Sequence, residues 1–172
     1  MPSSTSLIPP PPSIHKPADL LIVGCGNLLR GDDGVGPIMV RHLAEIGMPD
    51  GVRLADGGTA GMDVAFAMRG AKHVIIIDAC QSDSPTGALF KVPGEELEDL
   101  PPITGLHSHA FRWDHALAFG RWLLKDEYPD KVTVYLVEVG TLEYGAEMSP
   151  EVRESMQRLI GMICEEAGVD RS

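Results

Sequence analysis

Two uninterrupted apolar tetrads, Leu20-Leu21-Ile22-Val23 and Val74-Ile75-Ile76-Ile77, constrain this chain more than any other feature in it. A strand with one wet face alternates apolar and polar residues, whereas a strand covered on both faces reads as a continuous apolar run. The tetrads therefore call for a sheet with helices on either side. The helices are legible between them. Val35, Ile38, Met39, Leu43 and Ile46 recur at helical spacing, and so do Met62, Ala65, Phe66 and Met68. Ala116, Leu117, Phe119, Leu123 and Leu124 mark another helix within 111–124. Val52 to Ala55 and the β-branched run Val132 to Val139 add strands, and Ala88 to Val92 predicts an edge strand. A final helix is predicted from Pro150, with Ser149 as its N-cap and Val152, Met156, Leu159, Ile160 and Ile163 on one stripe. Strands alternating with helices imply an α/β fold of three layers, a mainly parallel central sheet with helices on both faces. Ligands of such folds sit at the carboxyl ends of the strands.

The 172 residues suit one domain, which at this size buries about 70% of its unfolded surface and needs neither disulfides nor a structural metal. Cys25, Cys80 and Cys164 are an odd set without a CxxC pair, which predicts a reducing, cytoplasmic setting. The domain is expected over 19–168, after a disordered Pro-rich tail at 1–18 and before a flexible C-terminus at 169–172. Fourteen basic against 25 acidic side chains leave a formal charge of −11, which argues against nucleic acid and anionic membranes as partners. No apolar run approaches the roughly 20 residues of a membrane span, so a soluble chain is expected.

Each strand end predicted to face the ligand carries something polar. The first strand runs into Gly24-Cys25-Gly26-Asn27-Leu28-Leu29-Arg30-Gly31-Asp32-Asp33-Gly34-Val35-Gly36. A dinucleotide loop would need its third glycine at Leu29, and two carboxylates at a helix start would repel a pyrophosphate. One of Asp32 and Asp33 is expected to cap the following helix, which leaves the other to spare. The second strand leads into Asp56-Gly57-Gly58-Thr59, a sharp turn by composition, and the third ends at Asp78, where a carboxylate needs a partner or a ligand. His107-Ser108-His109 precedes a helix; His42 and His73 lack polar company in the sequence and are expected to be surface or packing residues. Asp33, Asp78 and one histidine of 107–109 would converge in this fold, forming an O/O/N set suited to zinc, cobalt or nickel. A Cys80/His109 nucleophile pair is a rival, weakened because Asp78 would raise the thiol pKa. There is no GxSxG elbow and no HExxH pair.

In this order the motifs resemble those of the maturation endopeptidases of nickel-iron hydrogenases. The resemblance spans about residues 20–165 and rests on Gly24 to Leu29 leading to Asp32-Asp33-Gly34-Val35-Gly36, on Asp56-Gly57-Gly58-Thr59, on Ile77-Asp78-Ala79, and on His109 opening the helix that contains Leu117. It implies that Asp33, Asp78 and His109 hold a metal and perform catalysis, with His107 as the competitor of His109. It assigns Asn27, Asp56, Gly57, Gly58 and Thr59 to substrate contact. The implied reaction is one cut that removes the C-terminal extension of a hydrogenase large-subunit precursor after nickel insertion. The nickel would arrive with the nickel-loaded precursor and serve as the recognition element, and no organic cofactor is implied. The competing readings are a generic metal-dependent or cysteine hydrolase and a non-catalytic α/β ligand-binding module.

Overall fold

The computed structural model describes residues 17–58, 61–98 and 113–170. Strand β1 (Ala18–Cys25) leads through a single 3-10 turn, Gly31–Gly34, directly into helix α1 (Val35–Ile46). Then follow β2 (Val52–Gly58), α2 (Gly61–Ala67), β3 (Ala71–Cys80), β4 (Leu89–Pro93), α3 (Gly94–Glu98), α4 (Trp113–Leu124), β5 (Lys131–Glu138) and α5 (Pro150–Glu166). The sheet order is β2-β1-β3-β5-β4, with β4 antiparallel at the edge and every other pairing parallel. This is the expected three-layer α/β architecture. Among the described residues no helix is long and apolar enough to cross a membrane.

Alternation along β1 and β3 divides the apolar runs between two cores. Leu20, Ile22, Ile75 and Ile77 face α1 and α5 and pack with Met39, Leu43, Met156, Leu159 and Ile163. Leu21, Val23, Val74 and Ile76 face the other way and pack with Val64, Met68, Leu117 and Leu124. Both faces being covered is the reason the tetrads are continuous. Phe66, expected on the buried stripe of α2, is instead half exposed, because that short helix buries Val64, Ala65 and, just past its end, Met68.

Helix α5 buries all five residues of its predicted stripe but carries no side-chain cap bond. The Ser149 hydroxyl is given to Asp32 instead. Docking makes this affordable to the helix, since each buried aliphatic side chain contributes roughly 1.5–3 kcal/mol and a cap only about 1. The expected capping by Asp32 or Asp33 is also absent, as neither the 3-10 turn nor α1 has a side-chain cap bond. His73 and His42 do have polar company: His73 Nε2 lies 3.1 Å from Thr133 Oγ1, brought there by the β3–β5 register, and His42 Nδ1 lies 3.6 Å from Glu45 one helical turn on.

Order β2-β1-β3 places the reversal of strand direction of travel between β1 and β3, where α1 and α2 leave toward opposite faces. Here α1 starts almost on the sheet. A Cβ on Gly36 would stand 2.4 Å from the Cys25 carbonyl oxygen and 2.6 Å from that of Ile77. Only a hydrogen fits. Gly36→Ala is therefore expected to lower stability by about 3 kcal/mol, the upper end for overpacking. Urea unfolding would show it as an earlier midpoint, and a wild-type midpoint would refute the contact.

Candidate functional site

The start of α1, pressed onto the ends of β1 and β3, brings the loop after β1 beside Asp78. Gly24 pairs with Asp56 on β2 and with Ile77 on β3, so the next residue on β3, Asp78, lies level with Cys25. The Cys25 thiol registers this crowding of acids: burial first, then the carboxylates of Asp78 and Asp56, raise its pKa well above the usual thiol value. Asp33 and Asp78 thus share the carboxyl edge at the β1/β3 reversal, while Asp56 stands on the far side of β1.

The loop bearing Asp33 is closed on itself. The Asn27 amide donates to Asp33 Oδ2 at 3.0 Å, and Asn27 Oδ1 accepts the Leu29 amide at 2.9 Å. Arg30 N–H donates to the Asn27 carbonyl, and Asp33 N–H to that of Arg30. Gly26, at φ +138°, leaves room for the Asp33 carbonyl, which would stand 1.9 Å from a Cβ there. Among the described residues the Asp33 carboxylate has no other hydrogen-bond donor. Asp78 Oδ1 accepts the Ala79 amide at 2.8 Å.

Asp32, one residue before Asp33, has the opposite environment and is fully buried. Its Oδ2 accepts the Gly140 amide at 2.8 Å, the Thr141 amide at 3.0 Å and the Ser149 hydroxyl at 2.6 Å, and its Oδ1 accepts the Ser149 amide at 2.6 Å. Burial pushes its carboxyl pKa up, but the Ser149 hydroxyl and the three amides outweigh that and hold it below the ordinary value. The spare acid of the pair is Asp33.

Glu138, a second site-edge residue that the sequence reading passed over, is buried at the end of β5. It accepts the Ser82 amide at 2.9 Å and the Ser82 hydroxyl at 2.7 Å, and lies 3.4 Å from Cys80 Sγ. A charged residue inside a β-branched run was the available signal. Burial, the hydrogen bond to Glu138, its charge and that of Asp78 together raise the Cys80 thiol pKa far above the usual value, so the thiol is protonated at neutral pH and a poor nucleophile.

The residues assigned to substrate contact divide by environment. Asn27 uses its side chain to shape the loop, and exposed Asp56 accepts the Gly58 amide at 2.9 Å. Gly57 is buried, and a Cβ there would meet Cys25 Sγ at 2.8 Å, whereas a Cβ on Gly58 would meet nothing within 4 Å among the described residues. Thr59, His107 and His109 lie outside the described residues. Among the described residues no group of three His, Cys, Asp or Glu side chains could hold a metal.

A family model described as hydrogenase maturation protease, HycI, matches residues 37–166, a range that contains Asp78 and His109 and starts just after Asp33. The coenzyme F420 hydrogenase subunit delta of Methanothermobacter thermautotrophicus is 28% identical over 165 residues, 90% of this chain and 98% of that protein. The hydrogenase expression/formation protein HupM of Azotobacter chroococcum is 30% identical over 141 residues, 81% of this chain and 66% of that protein. Another relative, from Methanocaldococcus jannaschii, is matched over 56% of its length. The solved hydrogenase maturating endopeptidase HybD from E. coli superposes with a TM-score of 0.74 at 28% identity, over 88% of this chain and 94% of that one.

Proposed function

The chain belongs to the hydrogenase maturation protease family, and from that premise we propose that it is an endopeptidase removing the C-terminal extension of a nickel-iron hydrogenase large-subunit precursor once nickel is in place. The observation that carries this reading is that Asp33, in the turn after β1, and Asp78, at the end of β3, lie on the same carboxyl edge at the β1/β3 reversal. With His109, or His107 in its stead, they offer an incomplete O/O/N set. Such a set binds free nickel modestly and can complete the coordination of an ion already held by the precursor's cysteine thiolates. Nickel in this scheme belongs to the substrate. It reports its own insertion and places the scissile peptide beside the two acids.

The chain's own residues then have two ways to assist the cut. Asp33 and Asp78 act as general base and acid on a water and the leaving amine, or they only fix the ion, which polarises the scissile carbonyl. A cysteine route is disfavoured, because the Cys25 thiol is buried and both it and Cys80 are held protonated. Three free cysteines support a reducing, cytoplasmic setting. Asn27, Asp56, Gly57, Gly58 and Thr59 are the proposed substrate contacts along the rim.

The deciding experiment is the intact mass of a hydrogenase large-subunit precursor before and after mixing with this protein, with and without nickel in the precursor. The expected result is a single mass loss from the C-terminus of the nickel-loaded form only, unaffected by thiol alkylation of the protease. Equal cutting of nickel-free precursor would remove the recognition role, and loss of cutting on alkylation would restore the cysteine route. A precursor left whole in both forms would point to a binding module.

A further inference from the structure

Asp33 has one described side-chain bond, to the Asn27 amide just after β1, and that bond alone does not fix where the Gly31–Gly34 turn stands. The residue that ties it to the rest of the protein is its neighbour. Asp32 collects donors from Gly140, Thr141 and Ser149, residues more than a hundred positions later that join the end of β5 to the start of α5. The same two segments are laced by Asp32 N–H to the Thr141 carbonyl, Gly145 N–H to the Leu29 carbonyl and Arg30 Nε to the Leu142 carbonyl. Of these only Asp32 is fully buried and charged, so its bonds are the strong ones.

We propose that Asp32, with Ser149, is the positioning residue of this site: it anchors the Gly31–Gly34 turn to the β5–α5 connection and thereby holds the Asp33 carboxylate opposite Asp78. The inference rests on the reading of Asp33 as a working residue. Asp32 touches no reacting atom; its buried carboxylate acts through the backbone it shares with Asp33. A working carboxylate must stand within a fraction of an ångström of its productive place, so a small displacement of the turn is felt in the chemical step more than in substrate affinity.

The test uses the full chain with Asp32→Asn and Ser149→Ala, each below its own melting temperature. Two readouts are needed: hydrogen exchange of the Asn27 amide, which reports its bond to Asp33, and kcat and KM on nickel-loaded precursor. Asp33→Ala sets the exchange scale for a lost bond. Asp32→Asn is expected to bring Asn27 exchange close to that scale and to lower kcat by about 10- to 100-fold, with KM changed less than about twofold. Ser149→Ala should shift both readouts less, in the same direction, and Ser149→Thr should restore them. Wild-type Asn27 exchange in Asp32→Asn overturns the proposal, and so does a kcat loss no larger than the unfolded fraction explains. If the wild-type protein cuts no precursor the functional reading fails, while Asn27 exchange still decides whether Asp32 places Asp33.

Discussion

Asp32→Ala is expected to lower the unfolding free energy by about 3–5 kcal/mol, the range found when one partner is removed from a buried charged network. The substitution strands three backbone amides and one hydroxyl that now converge on a single carboxylate. Hydrogen bonds to a charged acceptor contribute about 1.5–3 kcal/mol each, so a naive sum would exceed the expected loss. Two effects reduce it: the variant is spared the burial of a charge, and water can follow the shortened side chain into the space. For a domain of this size the loss corresponds to a melting temperature lower by about 10–15 °C. Thermal and urea unfolding would read it. A loss under about 1 kcal/mol would mean that the 140–149 segment keeps its place without the carboxylate.

Asp78→Asn should leave stability nearly unchanged and reduce cleavage of nickel-loaded precursor by about 10²–10⁴-fold, the span ordinarily supplied by a general acid or base. The amide side chain has the same shape and keeps an oxygen for the Ala79 amide. On the proposed reading, the variant loses the negative charge that would either transfer a proton or hold the substrate's nickel. Asp56→Asn makes the comparison sharp. Asp56 is exposed, and asparagine still accepts the Gly58 amide, so this variant should raise KM and spare kcat. The time course of precursor mass measures both. An Asp78→Asn protein that keeps a tenth of wild-type activity would take Asp78 out of the mechanism.

The contrast between Asp32 and Asp33 shows what could be read from the chain alone. That two adjacent acids sit in a glycine-rich loop after the first strand, and that one is spare, is legible from composition and position. Which one is spare is not, because Asp32 is claimed by Gly140, Thr141 and Ser149, donors 108 to 117 residues away with no local pattern to announce them. Ser149 misleads for the same reason. Its place before Pro150 and an apolar stripe is that of an N-cap, yet the buried carboxylate is the stronger acceptor partner for its hydroxyl. Glu138 and His73 follow suit, one taken by the Ser82 loop and the other by Thr133 across the β3–β5 pairing.

Element types and layers were determined by the sequence itself. Periodicities of two and 3.6 are local properties, and a run such as Val74 to Ile77 is apolar at every position only where both faces of a strand are covered. Local pattern also placed Asp78 at a strand end and the final helix on its stripe. Strand order, which puts the turn bearing Asp33 and the strand end bearing Asp78 on one edge of the sheet, was decided by the tertiary structure, as were the hydrogen-bond partners of Asp32, Ser149 and Glu138. Those outcomes depend on contacts between distant segments, and a hydrogen bond across a hundred residues leaves no periodic trace in either partner, because it is set by where the whole sheet puts them.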